Sequence, residues 1–275
     1  MSLRAALIMF VAMSLIPAGD ASGKLLTAQG ISPVFVSWSR FVVGVILVAP
    51  FFAKAGIVLL GNWRIWLRGA LLAGGITALQ TALKTAPLAD VFAAFFIGPI
   101  VSYVLAGVLL GERMTPLRSV LVALGFVGVL MVVRPGLDWN PGLGFALLAG
   151  LFYGAFLTAS RWLSEMASPG ALAFTQLGVG AVLLLPFGAT QIPTLSLEIA
   201  GLTFTSAACS MLGNLILLYA YRIAPATELA PLVYFQLFAA VLLGWVIFAD
   251  WPDAITWAGM ALILGAGIAA ARSRS

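Results

Sequence analysis

The stretch from Ile31 to Phe51 reads ISPVFVSWSRFVVGVILVAPF, and the stretch from Ala167 to Phe187 reads ASPGALAFTQLGVGAVLLLPF. An offset of 136 (168 − 32) lays Ser32 on Ser168, Pro33 on Pro169, Gly44 on Gly180, Pro50 on Pro186 and Phe51 on Phe187. Each stretch opens on Ser-Pro turn chemistry. Each then stays mostly apolar for about the 20 residues that a helix needs to cross a bilayer.

Working outward, the likeness continues. With one residue of slack (161 − 24 = 137), Lys24 meets Arg161. An offset of 138 (222 − 84) lays Lys84 on Arg222, Ala86-Pro87 on Ala224-Pro225, Asp90 on Glu228 and Glu112 on Asp250. Basic meets basic and acid meets acid at every charged pair. The chain therefore divides into a first repeat, residues 1–136, and a second, residues 137–275. Each holds about five spans, and an odd number of spans turns the second half upside down relative to the first. Inverted repeats around a midplane site are the architecture of many secondary transporters. A duplication that merely enlarged a helical bundle is the plainer alternative.

Composition names the solvent. Of 275 residues, 63% are hydrophobic and only 8% charged, against about 25% charged in a soluble domain. Such a chain lacks the polar groups to cover its own surface. In hydrocarbon, only helices or closed barrels satisfy their backbone polar groups. A barrel would alternate with period two, whereas Val91–Leu110 and Ser119–Val133 are nearly unbroken apolar runs. The expectation is an all-α membrane protein. Its ten predicted transmembrane helices are 3–26, 33–53, 64–83, 88–111, 116–134, 143–165, 170–187, 199–221, 226–249 and 254–271. The first apolar stretch continues past the length of a signal peptide and reads as the first span.

Several function classes drop out. The single cysteine, Cys209, permits no intramolecular disulfide. With no histidine, His-based acid/base chemistry, His-ligated metals and the usual triads are absent, and no cofactor or metal is expected. The net charge of +5 sits between apolar runs, which reads as topology and not as a nucleic-acid surface. An even number of spans places both termini on one side. If that side is the cytoplasm, it carries Arg4, Lys54, Arg64, Arg68, Arg113, Arg118, Arg161, Arg222, Arg272 and Arg274. The far side keeps Lys24, Lys84 and Arg134. That is the positive-inside bias, and it predicts an inner-membrane protein with cytoplasmic termini.

Ala86-Pro87-Leu88-Ala89-Asp90, Gly98-Pro99, Gly111-Glu112-Arg113 and Gly128-Val129-Leu130 to Arg134-Pro135-Gly136 resemble the first EamA repeat of the drug/metabolite transporter superfamily. The second half is a weaker copy, with Asp250 for the Glu of Gly-Glu-Arg and Gln236 where Gly98 stood. The resemblance implies ten helices in inverted halves around a central cavity lined mainly by the first, third, fourth, sixth, eighth and ninth helices. It implies a carrier of small organic metabolites and no enzyme. Two subgroups come into view. One holds the exporters of amino acids and related metabolites, the YddG-type amino-acid exporters among them, and export of an amino acid or related compound is the expectation. The other holds riboflavin-importer-like members. Ile16-Pro17-Ala18-Gly19-Asp20-Ala21-Ser22-Gly23-Lys24, followed by Ser39-Arg40-Phe41, resembles that second group.

Charges inside spans are costly and point to function by default. Asp20 lies sixteen residues past Arg4, about 24 Å along a helix, with Lys24 one turn on. Arg40 lies about 10 Å into the second helix from the same side. Lys84 and Asp90 flank the next turn on that side, whereas Arg161, Arg222 and Glu228 gather at the opposite mouth. These eight residues are candidates for gating or ion coupling, against static ion pairs or interfacial anchors. The anchor reading is preferred for Lys24, Lys84 and Arg222. Asp20, Asp90 and Glu228 are the candidate proton carriers. A carboxylate alone in an apolar span holds its proton and one beside Arg or Lys stays ionised, and the sequence leaves both open.

Polar or aromatic residues near the midplane are candidates for substrate contact: Ser14, Thr77, Gln80, Ser102, Tyr103, Tyr153, Phe156, Asn214, Tyr234 and Gln236. Asn214, between apolar neighbours, is the sharpest of them, although a lone amide also serves to join helices. Pro17 and Pro99 fall inside spans, where each removes a helix hydrogen bond and can supply a hinge. Gly107-x-x-x-Gly111 and Gly150-x-x-x-Gly154 match the small-residue packing motif. Trp63, Trp66, Trp139, Trp251 and Trp257 fit interfacial anchors. The rival classes are an intramembrane enzyme, which lacks a nucleophile–base or metal pattern here, a channel, and a membrane scaffold. The expected partners are a small-molecule substrate and the lipid bilayer, without nucleic acid. The oligomeric state is open, and a monomer suffices.

Overall fold

The computed structural model of the chain describes residues 3–111, 116–133, 140–163, 165–223 and 235–272. In chain order the helices are α1 (Leu3–Ala28), α2 (Pro33–Ile57), α3 (Trp63–Leu83), α4 (Leu88–Phe95), α5 (Ile97–Leu110), α6 (Pro116–Val133), α7 (Pro141–Trp162), α8 (Pro169–Gly188), α9 (Leu197–Ile223), α10 (Phe235–Phe248) and α11 (Ala254–Arg272). No strand occurs among the described residues. With α4 and α5 forming one interrupted span, these are the ten transmembrane helices. Several are long and apolar enough to cross a bilayer by themselves, such as Leu88–Leu110 and Pro141–Trp162.

The repeated Ser-Pro pairs start repeat-equivalent helices. The Val34 amide donates to Ser32 Oγ at 3.3 Å, and Pro33 takes the first helical position. The Ala171 amide donates to Ser168 Oγ at 3.3 Å ahead of Pro169. A capping hydroxyl satisfies an orphan amide, and proline has none to leave bare. Asn140 and Pro141 work the same way, the Gly142 amide donating to Asn140 Oδ1 at 2.8 Å. That cap starts the sixth span at Pro141, ahead of the expected residue 143, and the helix ends at Trp162, short of the expected 165.

The largest departure from the sequence reading is the fourth span. It divides at Phe96 into α4 and α5. Pro99 has no N–H to return to the Phe95 carbonyl, so the ladder breaks one turn before the proline. Gly150 lies against that carbonyl: a Cβ there would stand 2.8 Å from Phe95 O. A Cβ at Gly154 would stand 2.5 Å from Gly98 O, so α7 meets the break backbone to backbone. Here the small-residue motif packs helices as expected. The Gly107-x-x-x-Gly111 reading is corrected, because Gly111 is the C-cap of α5 at φ +68° with open space around it. Pro17 leaves α1 continuous from Leu3 to Ala28.

Exchange of the two halves maps the helix packing onto itself. α1 packs on α9 as α7 packs on α3, and α1 on α10 as α7 on α4 and α5. α2 packs on α9 as α8 packs on α3. The pairs α2·α8 and α6·α11 join equivalent helices across the centre. The burial pattern is that of a protein in lipid. Phe51, Val58, Val108, Leu109 and Val246 are exposed, whereas Asp20, Arg40, Arg68 and Gln80 are buried.

Candidate functional site

Four helices converge on one buried polar cluster. Arg40 of α2 donates through one terminal nitrogen to Asp20 Oδ1 of α1 and through the other to Ser210 Oγ of α9. Gln80 of α3 donates to the same carboxylate oxygen at 3.1 Å. Ser206, one turn before Ser210, donates to the Gly19 carbonyl at 2.7 Å. Gly19 and Gly23 allow this approach, since a Cβ at Gly23 would stand 2.3 Å from Gln80 Oε1. Neutral partners on each member, Gln80 on the carboxylate and Ser210 on the guanidinium, help to make two charges tolerable in such a setting.

On one side of this cluster lies a cavity of about 460 Å³ between α2, α3, α7, α8 and α9, so of the lining helices the resemblance implies the third, sixth and eighth take part, joined by the second and seventh. It runs from Arg40 and Ser210 to Ala167 and Pro169 at the α7–α8 turn. Its apolar walls include Phe41, Leu72, Ile76 and Leu177, and its polar groups are Arg40, Arg68, Ser160, Gln176, Ser210 and Asn214. Tyr153 and Phe156 of α7 form an aromatic wall, their rings stacked at 6.0 Å. The volume falls in the range of small-molecule sites, which are mostly apolar with a few placed polar groups.

Arg68 has the most developed contacts on this wall. Its Nε donates to Ser160 Oγ at 2.9 Å, and its terminal nitrogens donate to Leu172 O at 3.0 Å and Gln176 Oε1 at 2.7 Å. Its guanidinium lies over the Phe156 ring, 4.8 Å from the centroid. The sequence reading counted Arg68 only as a topological charge. Its depth is the signal that was passed over: it lies inside the apolar run that starts at Ile65. Gln176 and Ser160 were missed as well. The repeat offset does mark Gln176, which falls on Arg40 (176 − 40 = 136), and Leu157 falls on Asp20 (157 − 20 = 137). In the second half, then, the two positions of the buried ion pair line the cavity instead.

Of the residues expected near a substrate, Tyr153, Phe156 and Asn214 line this cavity. The Asn214 amide donates to Ser210 O at 2.7 Å, and that bond leaves its carbonyl oxygen unused. Gln80 belongs to the ion-pair cluster and is fully buried. The others lie elsewhere. Ser14 and Thr77 donate to their own helices, at Phe10 O and Ala73 O. Ser102 bonds Thr158 and packs α5 on α7. Tyr103 bonds Ser119 at 3.2 Å and faces a separate groove bordered by α5, α6 and α11. Gln236 sits in the first turn of α10 and is not among the lining residues. Tyr234 lies outside the described residues.

The charged candidates separate too. Lys24 does not meet Asp20 along α1. Its ammonium donates to Asp250 Oδ2 at 3.1 Å and Ala86 O at 2.9 Å, 4.7 Å from the Phe248 ring centroid. It thereby ties α1 to the α3–α4 and α10–α11 turns. Lys84 is exposed just past α3, as an anchor would be. Asp90 stands in the first turn of α4, beside a cleft shared with Asp250 and Asp253. Arg161 is exposed in the last turn of α7. Glu228 and the side chain of Arg222 lie outside the described residues.

The comparisons with known proteins agree with this architecture. The chain is 27% identical over 252 residues to a riboflavin transporter of Brucella anthropi, covering 88% of this chain and 89% of that one. It is 28% identical over 253 residues to an S-adenosylmethionine uptake transporter of Rickettsia bellii, covering 90% and 87%. It is 27% identical over 261 residues to a pseudopaline exporter of Pseudomonas aeruginosa, covering 93% and 89%. A solved crystal structure superposes with a TM-score of 0.65 at 20% identity, over 98% of this chain and 97% of that one, and so shares the fold. The description "EamA-like transporter family" matches residues 3–134 and again 140–270. Matched along both halves, the chain belongs to the EamA-like transporter family of the drug/metabolite transporter superfamily and is a multi-pass membrane transporter, not an enzyme.

Proposed function

We propose that this protein is an alternating-access carrier of a small organic metabolite, an amino acid or a related compound, with the 460 Å³ cavity as its binding site. The observation that carries the reading is the asymmetry around that cavity. At one end Asp20, Arg40, Gln80 and Ser210 draw four helices together. At the other end the cavity reaches the α7–α8 turn, and the repeat-equivalent positions Leu157 and Gln176 stand on its wall. A pseudo-symmetric carrier exchanges such a pair of states by rocking one half against the other. Asp20 and Arg40 then act as a latch that parts when the closed end opens. Pro17, three residues before Asp20, is the hinge of α1 in this reading, and the α4–α5 break before Pro99 is the hinge of the fourth span. With both termini in the cytoplasm, the conformation faces inward and the latch closes the outer end.

Export is the direction expected of the amino-acid branch. Relatives named for uptake and for export resemble this chain about equally, so direction rests on flux and not on likeness. A second reading, a flavin as cargo, is favoured by the stacked wall of Tyr153 and Phe156 and by the riboflavin transporter among the relatives.

The test is a thermal-shift screen of the purified protein against amino acids, flavins, nucleosides and sugars, followed by flux into liposomes. A ligand that binds only the folded state raises the melting temperature by mass action. A hit that is also carried, and whose flux falls in Asn214→Ala, supports the reading. Binding without flux under any gradient would replace the carrier with a scaffold.

A further inference from the structure

Arg68 presents a charge that its partners do not neutralise. A guanidinium has five N–H donors, one on Nε and two on each terminal nitrogen. Ser160, the Leu172 carbonyl and Gln176 take one from each nitrogen. One N–H remains on each terminal nitrogen. All three acceptors are neutral, and among the described residues no carboxylate pairs with Arg68, whereas Arg40 has Asp20 and Lys24 has Asp250. Yet the residue is buried and borders the cavity. A desolvated cation without a counter-ion is costly, and two free N–H groups on one guanidinium match the two oxygens of a carboxylate.

We infer that Arg68 is the anion subsite of the cavity and that the cargo carries a carboxylate. This deepens the carrier reading above and rests on it. The fixed partners position the fork: Ser160 holds it toward α7, and Leu172 and Gln176 hold it toward α8. Phe156 beneath the guanidinium and Tyr153 beside it offer a flat apolar surface to the body of the same molecule. Asn214 leaves a carbonyl oxygen for a donor such as an ammonium. The class so defined is a compound with a carboxylate next to a ring or an apolar chain.

The experiment compares matched pairs on the full chain in nanodiscs. The probes are N-acetyl amino acids, from glycine to tryptophan, and their neutral N-acetyl amides, which have nearly the same shape. Affinity is read by calorimetry and thermal shift. The expected result is that at least one acid binds about tenfold or more tighter than its amide. Arg68→Gln should bring the acid-to-amide affinity ratio down to about one, whatever it does to affinity as a whole, and Arg68→Lys should keep part of the preference. Equal affinity for acid and amide in the wild type, or a preference that survives Arg68→Gln, overturns the anion subsite. Should Arg68→Gln not fold, the wild-type ratio together with Arg68→Lys decides. Binding without acid preference removes the anion subsite alone, whereas absence of any binding or flux, across these pairs and the wider screen, removes the carrier reading with it.

Discussion

Arg40 reaches across from α2 to hold Asp20 on α1, while Gln80 donates to the same carboxylate and Ser210 accepts from the same guanidinium. Removing one member of a buried pair leaves the other uncompensated, at about 3–5 kcal/mol. Asp20→Ala and Arg40→Ala should each lower the melting temperature substantially. The double variant should be less destabilised than the sum of the two, with a coupling of about 0.5–3 kcal/mol. Additive losses in a double-mutant cycle would show that the pair does not act as a unit.

Lys24 and Asp250 are joined at 3.1 Å, but their side chains keep 13% and 34% exposure. Solvent screens such a pair, and exposed pairs contribute roughly 0.2–1 kcal/mol. Asp250→Asn should therefore destabilise less than Arg40→Ala, and its effect should shrink between 50 mM and 500 mM salt. An effect as large as that of Arg40→Ala, unmoved by salt, would mean that the pair is shielded in the bilayer.

Among the polar residues, position separates Asn214 from Ser14. Asn214 lines the cavity, and Ser14 bonds its own helix at Phe10 O. Asn214→Ala should weaken binding of a screened ligand by about tenfold, the loss of one good hydrogen bond. Ser14→Ala should leave it unchanged. Equal losses measured by calorimetry would place the binding site elsewhere.

Gly154 leaves no room for a side chain, since its Cβ would sit 2.5 Å from the Gly98 carbonyl. Gly154→Ala should force α7 away from the α4–α5 break and lose about 1–3 kcal/mol. Gly111→Ala meets open space but keeps φ +68°, so its penalty is backbone strain of about 1–2 kcal/mol. Melting temperatures in detergent compare the two, and a neutral Gly154→Ala would contradict the close approach.

Sidedness follows from the span count. In a Cys209→Ser background, Glu165→Cys in the α7–α8 turn and Asp253→Cys in the α10–α11 turn should react with impermeant maleimide from opposite faces of oriented vesicles. With cytoplasmic termini, Asp253→Cys labels from outside in intact cells and Glu165→Cys does not. Labelling of both from one face would break the inverted arrangement.

The sequence by itself determined the membrane class, the count of spans and the doubling of the chain. These follow from long apolar runs and from Ser-Pro caps repeated at 32–33 and 168–169, which are local signals that any solvent of low polarity reads the same way. Of the ten polar or aromatic residues it placed near the midplane, Tyr153, Phe156 and Asn214 line the cavity. Which charges meet was left to tertiary structure. Lys24 is one turn from Asp20, yet it is drawn to Asp250, 226 residues away. Arg68 reads as one more cytoplasmic charge until α7 and α8 supply Ser160 and Gln176 around it. A helix fixes only the azimuth and depth of a side chain. Partners on other helices, brought together by packing, decide whether that charge stays exposed, joins an ion pair or lines a cavity.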